Sequence, residues 1–316
     1  MSTLPPKNDH VKAILCSDIH LSDTPPVFRS KEPDWFEAMA RPLRDLGDLS
    51  DYYNCPIICG GDVFDKWNPS PALINFALDE LPEMYAVPGQ HDLPHHRYSD
   101  IKSSAYWTMV KAGKIKNLEH GKPVEEDGLV LHGFPWNSEL THCSATDLYI
   151  HIAVVHKYIW MDDSTSYVGA SEANHIEVIM KDLKDFDVML FGDNHKGFIY
   201  EGSNGRKVVN TGGFMRRKKD ERAYQPSMAL LYGDGRVERW ALDCGRDTYL
   251  EEEGSRLLQG QTVDDKLNLS DFIAELEDLS GEELDFTSAL RLYCENNDID
   301  EQTREIILES ASYGQS

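Results

Sequence analysis

Seven side chains able to hold a metal lie along this chain in five short clusters. They are Asp18 and His20 in Ser-Asp-Ile-His, Asp62 in Gly-Gly-Asp-Val-Phe-Asp, Gln90 in Pro-Gly-Gln-His-Asp, His156 in Val-Val-His, and Asp193 with His195 in Gly-Asp-Asn-His. Oxygen and imidazole donors around one shared carboxylate suit manganese, iron or zinc. A pair of such ions is the usual machinery for in-line attack on a phosphate ester.

Each cluster has its own logic. Alternation along a strand puts Asp18 and His20 on one side, so both can reach one ion. Asp62 follows two glycines that let the backbone pass close to a metal cluster, and it is the natural bridging carboxylate. Gln90 offers a carbonyl oxygen, while the adjacent His91 points elsewhere. An imidazole that is not a ligand, held by a carboxylate such as Asp92, is suited to protonate a leaving oxygen. Taken singly, Asp62 reads as an Asx-turn and Asp18 and His20 as ordinary loop residues. All five clusters in this order in one chain make coincidence remote.

Apolar runs must deliver these residues. Strands are predicted over Val11–Ser17, Pro56–Gly60, Met84–Val87, Leu129–Phe134, Ile150–Val155 and Val188–Phe191, with helices over Asp34–Leu49, Ala72–Leu81, Ser103–Ala112 and Ser171–Leu183. Ligands in open α/β sheets bind in the crevice at the carboxyl ends of such strands. From Gly197 onward, Phe198–Glu201, Lys207–Asn210, Met228–Tyr232 and Val237–Leu242 read as an antiparallel meander. A composition shift near Glu251 divides the chain into a catalytic domain, 1–250, and an acidic helical C-terminal region, 251–316.

A length of 316 residues with 41% hydrophobic content can bury one substantial core and a small appendage. The start lacks a secretory pattern and no later run spans a bilayer, so no membrane partner and a cytoplasmic location are expected. Six cysteines without C-x-x-C spacing read as reduced thiols. The formal net charge of −24 opposes indiscriminate coating of nucleic acid. Positive charge is concentrated in Arg216, Arg217, Lys218 and Lys219, which could hold backbone phosphates beside the crevice or balance the acidic surface as a solvated loop.

From about residue 11 to about residue 245 these motifs resemble the calcineurin-like metallophosphoesterases, whose pattern is D-x-H, G-D-x-x-(D), G-N-H-(D/E), a lone His, and G-H-x-H. The resemblance implies an α/β fold, a four-layer αββα sandwich with mixed sheets, here with a small helical extension. It implies a first metal held by Asp18, His20, Asp62 and His195, a second held by Asp62, Gln90, His156 and Asp193, and His91 as the catalytic histidine. Gln90 stands where the family has Asn, and Asp193 where it has His. Both departures fall on the second metal and favour manganese or magnesium, with iron or zinc as alternatives.

Within that family the chain is most similar to SbcD-type nucleases. This implies a manganese-dependent DNA exo- or endonuclease of repair or recombination, with DNA, an SbcC-type coiled-coil ATPase and a second copy of itself as partners. A phosphodiesterase or phosphatase of nucleotides is the rival enzyme. A catalytically degraded binding scaffold is the rival of another class.

Overall fold

The computed structural model describes residues 10–143, 148–167, 169–202 and 204–250. The predicted helices of the acidic tail lie outside the described residues. Among the described residues, twelve strands form two six-stranded sheets. The first holds β1 (Val11–Cys16), β2 (Ile57–Cys59), β3 (Met84–Ala86), β4 (Ile115–Asn117), β11 (Ser227–Tyr232) and β12 (Val237–Ala241), in the order β12-β11-β1-β2-β3-β4. The second holds β5 (Val124–Glu126), β6 (Leu129–Phe134), β7 (Ile150–His156), β8 (Val188–Gly192), β9 (Phe198–Glu201) and β10 (Lys207–Asn210), in the order β5-β6-β7-β8-β10-β9.

The apolar runs are nearly continuous because both faces of each sheet are covered. Along β1, Ala13 and Leu15 turn into the layer between the sheets with Ile58, Ile152 and Leu190. Ile14 and Cys16 turn the other way, onto Met39, Leu43 and Leu46 of α1 (Trp35–Tyr53). α2 (Pro71–Glu80) and α3 (Ala105–Ala112) share that outer layer through Leu73, Ala77 and Met109. On the far side, Ala153, Val155 and Met189 meet Ile179 and Met180 of α4 (Ile176–Asp182). The result is the expected four-layer arrangement of helix, sheet, sheet and helix.

Parallel pairing of β1, β2, β3 and β4, and of β6, β7, β8 and β10, aligns the carboxyl ends of the strands that precede every candidate ligand. The predicted meander is a correction. β10 runs parallel to β8 and carries β9 on the edge of the second sheet, whereas β11 crosses to the first sheet and pairs antiparallel with β1. The Gly212-Gly213 turn after β10 makes that crossing beside the site. β4 and β5 escaped prediction because three-residue edge strands such as Ile-Lys-Asn and Val-Glu-Glu carry too little apolar alternation. The predicted helix from Ser171 breaks at His175, whose extended backbone and ring cap the N-terminus of α4. Among the described residues no helix is long and apolar enough to cross a membrane.

Candidate metal centre

The loops after β1 and β2 are laced together by backbone hydrogen bonds. Asp18 N–H donates to the Gly61 carbonyl and His20 N–H to the Asp62 carbonyl, both at 3.0 Å. Across the sheets, Asp193 N–H donates to Asp18 Oδ1 at 2.9 Å; between neighbouring loops of the first sheet, His91 N–H donates to Asp62 Oδ1 at 3.0 Å. Asp62 Oδ2 lies 3.4 Å from His156 Nε2, 3.8 Å from His20 Nε2 and 4.0 Å from His91 Nε2. His20 Nε2 and His195 Nε2 are 3.1 Å apart, and His195 Nε2 is 4.0 Å from Asp18 Oδ1. Gln90 completes the ring: its Oε1 is 2.6 Å from His156 Nε2 and its Nε2 donates to Asp193 Oδ1 at 2.7 Å. All seven predicted side chains therefore meet in one place.

Strand alternation is not what aims them. Asp18, His20, Asp62 and Asp193 lie beyond the strand ends with φ of 53°, 50°, 52° and 82°. Left-handed backbone at a non-glycine residue costs roughly 1 kcal/mol or more, and Asp, Asn and His tolerate it best. Close approach accounts for the neighbouring glycines. A Cβ at Gly89 would collide with the Asp62 carboxylate, and one at Gly61 with the His156 ring.

The donor set fits a divalent cation. Asp18 Oδ2 and Asp62 Oδ2 are buried and accept no hydrogen bond. Orphaned carboxylate oxygens in an interior are costly, and a cation is the partner that removes the cost. Three groupings, Asp18/His20/His195, His20/Asp62/His91 and Asp18/Asp62/His156, each bring donor atoms within 4.8 Å of one another.

The electrostatics agree. Burial, eased by His156, pushes Asp18 up to about 7. Burial also raises Asp62, but the imidazoles of His156, His91 and His20 outweigh it and hold the carboxyl below the usual range. Burial alone would lower His156; the carboxylates of Asp62, Asp193 and Asp18 instead lift it to about 10. Without a cation His156 is an imidazolium, donating from Nδ1 to the Gly60 carbonyl and from Nε2 to Gln90 Oε1. A metal must expel that proton to gain the nitrogen.

His91 stands beside this cluster. Its Nδ1 is 3.0 Å from the Asp65 carbonyl, which can only accept, so a proton sits on Nδ1 and Nε2 is turned toward Asp62. Asp92, expected to hold His91, does something else. Its carboxylate accepts the backbone N–H groups of Val63, Phe64 and Gly89, bracing the two loops that carry Asp62 and Gln90. Those donors were invisible in the spacing because they belong to the backbone.

The basic run does not act as one patch. Arg216 is turned away, onto the Tyr224 carbonyl and the Tyr249 hydroxyl. Arg217 reaches inward to the Asp65 carboxylate, which lies 3.6 Å from His20 Nδ1, while the Arg217 and Lys218 N–H groups donate to Glu221. Asp65 thus joins Arg217 to the site, a role missed although the residue ends the quoted Gly-Gly-Asp-Val-Phe-Asp motif. Asn194 was missed as well: fully buried, it donates to the Ile159 and Thr165 carbonyls and pins that loop beside the centre.

Residues 11–197 match the model of the calcineurin-like phosphoesterases. Among solved structures, the chain is similar to TT1561 of Thermus thermophilus, with 14% identity, a TM-score of 0.45, and coverage of 74% of this chain and 100% of that one. It is also similar to a dimetal phosphatase from Danio rerio, with 11% identity, a TM-score of 0.43, and coverage of 74% and 99%. A 5'-nucleotidase from Candida albicans gives 11% identity, a TM-score of 0.41, and coverage of 76% and 55%. No curated protein matches the chain.

Proposed function

Because this chain belongs to the calcineurin-like phosphoesterase family and is a metal-dependent hydrolase, we propose that its substrate is a phosphodiester in DNA, cut with manganese bound, as in SbcD-type nucleases. When present, a pair of divalent ions supplies Lewis acidity and an activated water for in-line attack at phosphorus. Asp18, His20 and His195 would hold one ion, Gln90, His156 and Asp193 the other, and Asp62 both. Three carboxylates and an amide oxygen among the donors favour manganese or magnesium over softer ions.

The observation that carries the diester reading is His91. A sugar alkoxide is a poor leaving group and needs a proton as the bond to phosphorus breaks. His91 is fixed at Nδ1 by the Asp65 carbonyl, and its Nε2 is 4.0 Å from the shared carboxylate. Protonated, that nitrogen is the group placed to donate. Arg217, ion-paired with Asp65, adds positive charge at the same edge for a flanking phosphate.

A second reading, hydrolysis of nucleotides, is favoured by the net charge of −24, which repels a long polyanion more than a small one. Turnover of linear single- and double-stranded DNA, compared with cyclic nucleotides and bis-p-nitrophenyl phosphate in manganese, separates the two. The DNA reading expects polymer cleavage at least as efficient as that of the small diesters. Cleavage of cyclic nucleotides with intact DNA would overturn it.

A further inference from the structure

A second cluster of metal-binding side chains lies away from this centre. His132 on β6 and His151 on β7 share the outer face of the second sheet, and Cys143 comes from the segment after β6 to join them. His132 Nε2 is 3.2 Å from His151 Nδ1, and Cys143 Sγ is 3.9 Å from that same nitrogen. His151 is buried; His132 and Cys143 are half-buried. All three donor atoms fall within 4.8 Å of one another. From these positions we infer a further metal site, a zinc site built by His132, Cys143 and His151.

The nitrogen–nitrogen separation is the one a tetrahedral ion imposes, and the nitrogen–sulfur separation is slightly longer than such an ion would set. Zn–N bonds of about 2.0–2.1 Å and a Zn–S bond of about 2.3 Å place two nitrogens roughly 3.3 Å apart and a nitrogen and a sulfur roughly 3.6 Å apart. A ring-to-ring hydrogen bond would account for the first separation. The thiol is also within hydrogen-bonding reach of His151 Nδ1, whose single lone pair can serve only one of the two donors at a time. The thiol also donates a hydrogen bond to the Asp185 carbonyl at 3.7 Å, which is lost when a cation takes the place of the proton. On binding, the thiol proton leaves to solvent and the thiolate and both neutral imidazoles become ligands. The exposed side is open to water as a fourth ligand.

The two sites would sort their ions by chemistry. The centre at the carboxyl ends is rich in oxygen; this one offers a thiolate and two imidazoles, which select zinc over manganese or magnesium. They are also well separated. His151 is the second residue of β7 and His156 its last, about 16 Å away at roughly 3.3 Å per residue.

The ion would fasten the segment 135–143 to the sheet. At its other end that segment carries Trp136, whose backbone N–H donates to the Pro88 carbonyl at 3.1 Å and whose ring centroid is 6.1 Å from that of His156. Zinc at one end of the sheet therefore holds down the rim of the hydrolytic centre at the other.

Cobalt substitution and metal counting test this on the full chain. Cobalt loading of the wild type is expected to give the near-ultraviolet thiolate-to-metal charge-transfer band, lost in Cys143→Ser and in His132→Gln. Zinc counting on Asp62→Asn, which disables the shared carboxylate, is expected to find a single zinc per chain, and none when Cys143→Ser is added. Having both Cys143 and His132 variants guards against one failing to fold. Equal bands and equal zinc in the wild type and both variants would overturn the site. Because the Asp62→Asn arm works with the hydrolytic centre disabled, that failure would leave the proposed activity standing.

Discussion

The two halves of the candidate metal centre solve the same electrostatic problem differently. Around Asp18, His20 and His195, a buried carboxylate oxygen is left without a hydrogen-bond partner. Around Asp193 and His156, Gln90 bridges the gap, accepting from the imidazole and donating to the carboxylate. The first half holds that orphaned oxygen and one ring-to-ring hydrogen bond, His20 to His195, whereas the second is closed through both ends of Gln90. Each hydrogen bond in the closed half must break before an ion can take its atoms, which offsets part of the binding free energy. The first half should therefore fill at lower metal concentration. The two departures from the family pattern, Gln90 and Asp193, are in this light one paired change: the longer amide arm touches the carboxylate that replaces a histidine.

Asp62 belongs to both halves, so Asp62→Asn should give the largest effect, loss of both hydrolytic ions and of measurable turnover. Elemental analysis checks this; retention of either ion would break the idea of a shared carboxylate. His91→Gln should leave both ions in place yet lower diester kcat by about 10²–10⁴-fold. A chromogenic diester with a good leaving group should lose much less, and equal losses on both substrates would remove His91 as proton donor. Gln90→Leu should sharpen the contrast between halves, weakening the second ion by about 10–100-fold while the first is unmoved, as read by calorimetric titration with manganese.

The smallest effect is in pH. Burial holds Asp18 protonated up to about 7, and the surrounding carboxylates hold His156 protonated up to about 10. Both folded values lie above the ordinary ones, so a metal must displace protons, and its apparent affinity falls as pH drops. The slope should approach about tenfold per pH unit for each proton displaced. Calorimetry in buffers of different ionisation enthalpy on either side of neutrality measures the released protons; release of none would contradict the charge assignment. The same sign governs folding without metal. The stabilisation from His156 is complete below its ordinary value and disappears as pH climbs through about 10.

The candidate ligands were legible because each follows an apolar run, and apolar runs in a two-sided sheet announce themselves. Asp18, His20, Asp62, Gln90, His156, Asp193 and His195 all meet where the order of motifs put them. The four-layer fold followed from the same runs and the resemblance they carry. What escaped the sequence depends on the backbone. Asp92 is consumed by three N–H groups from loops that spacing does not reveal. The consecutive charges from Arg216 to Lys219 looked like one surface, but the chain bends so that Arg216 and Arg217 diverge toward Tyr249 and Asp65. Strand alternation gave the right neighbours for Asp18 and His20 by the wrong route, since positive φ angles aim both.

Those four left-handed residues make the working part of the molecule its thermodynamic weak point. A folded chain deprived of cations retains the twisted loops and the clustered acids balanced only in part by the His156 imidazolium, so the ions act as folding ligands as well as reagents. Chelator should accordingly lower the Tm, and manganese should restore it in proportion to its excess over Kd. Metal supply in the cell would then set how much of this protein survives, before it sets how fast the survivors turn over.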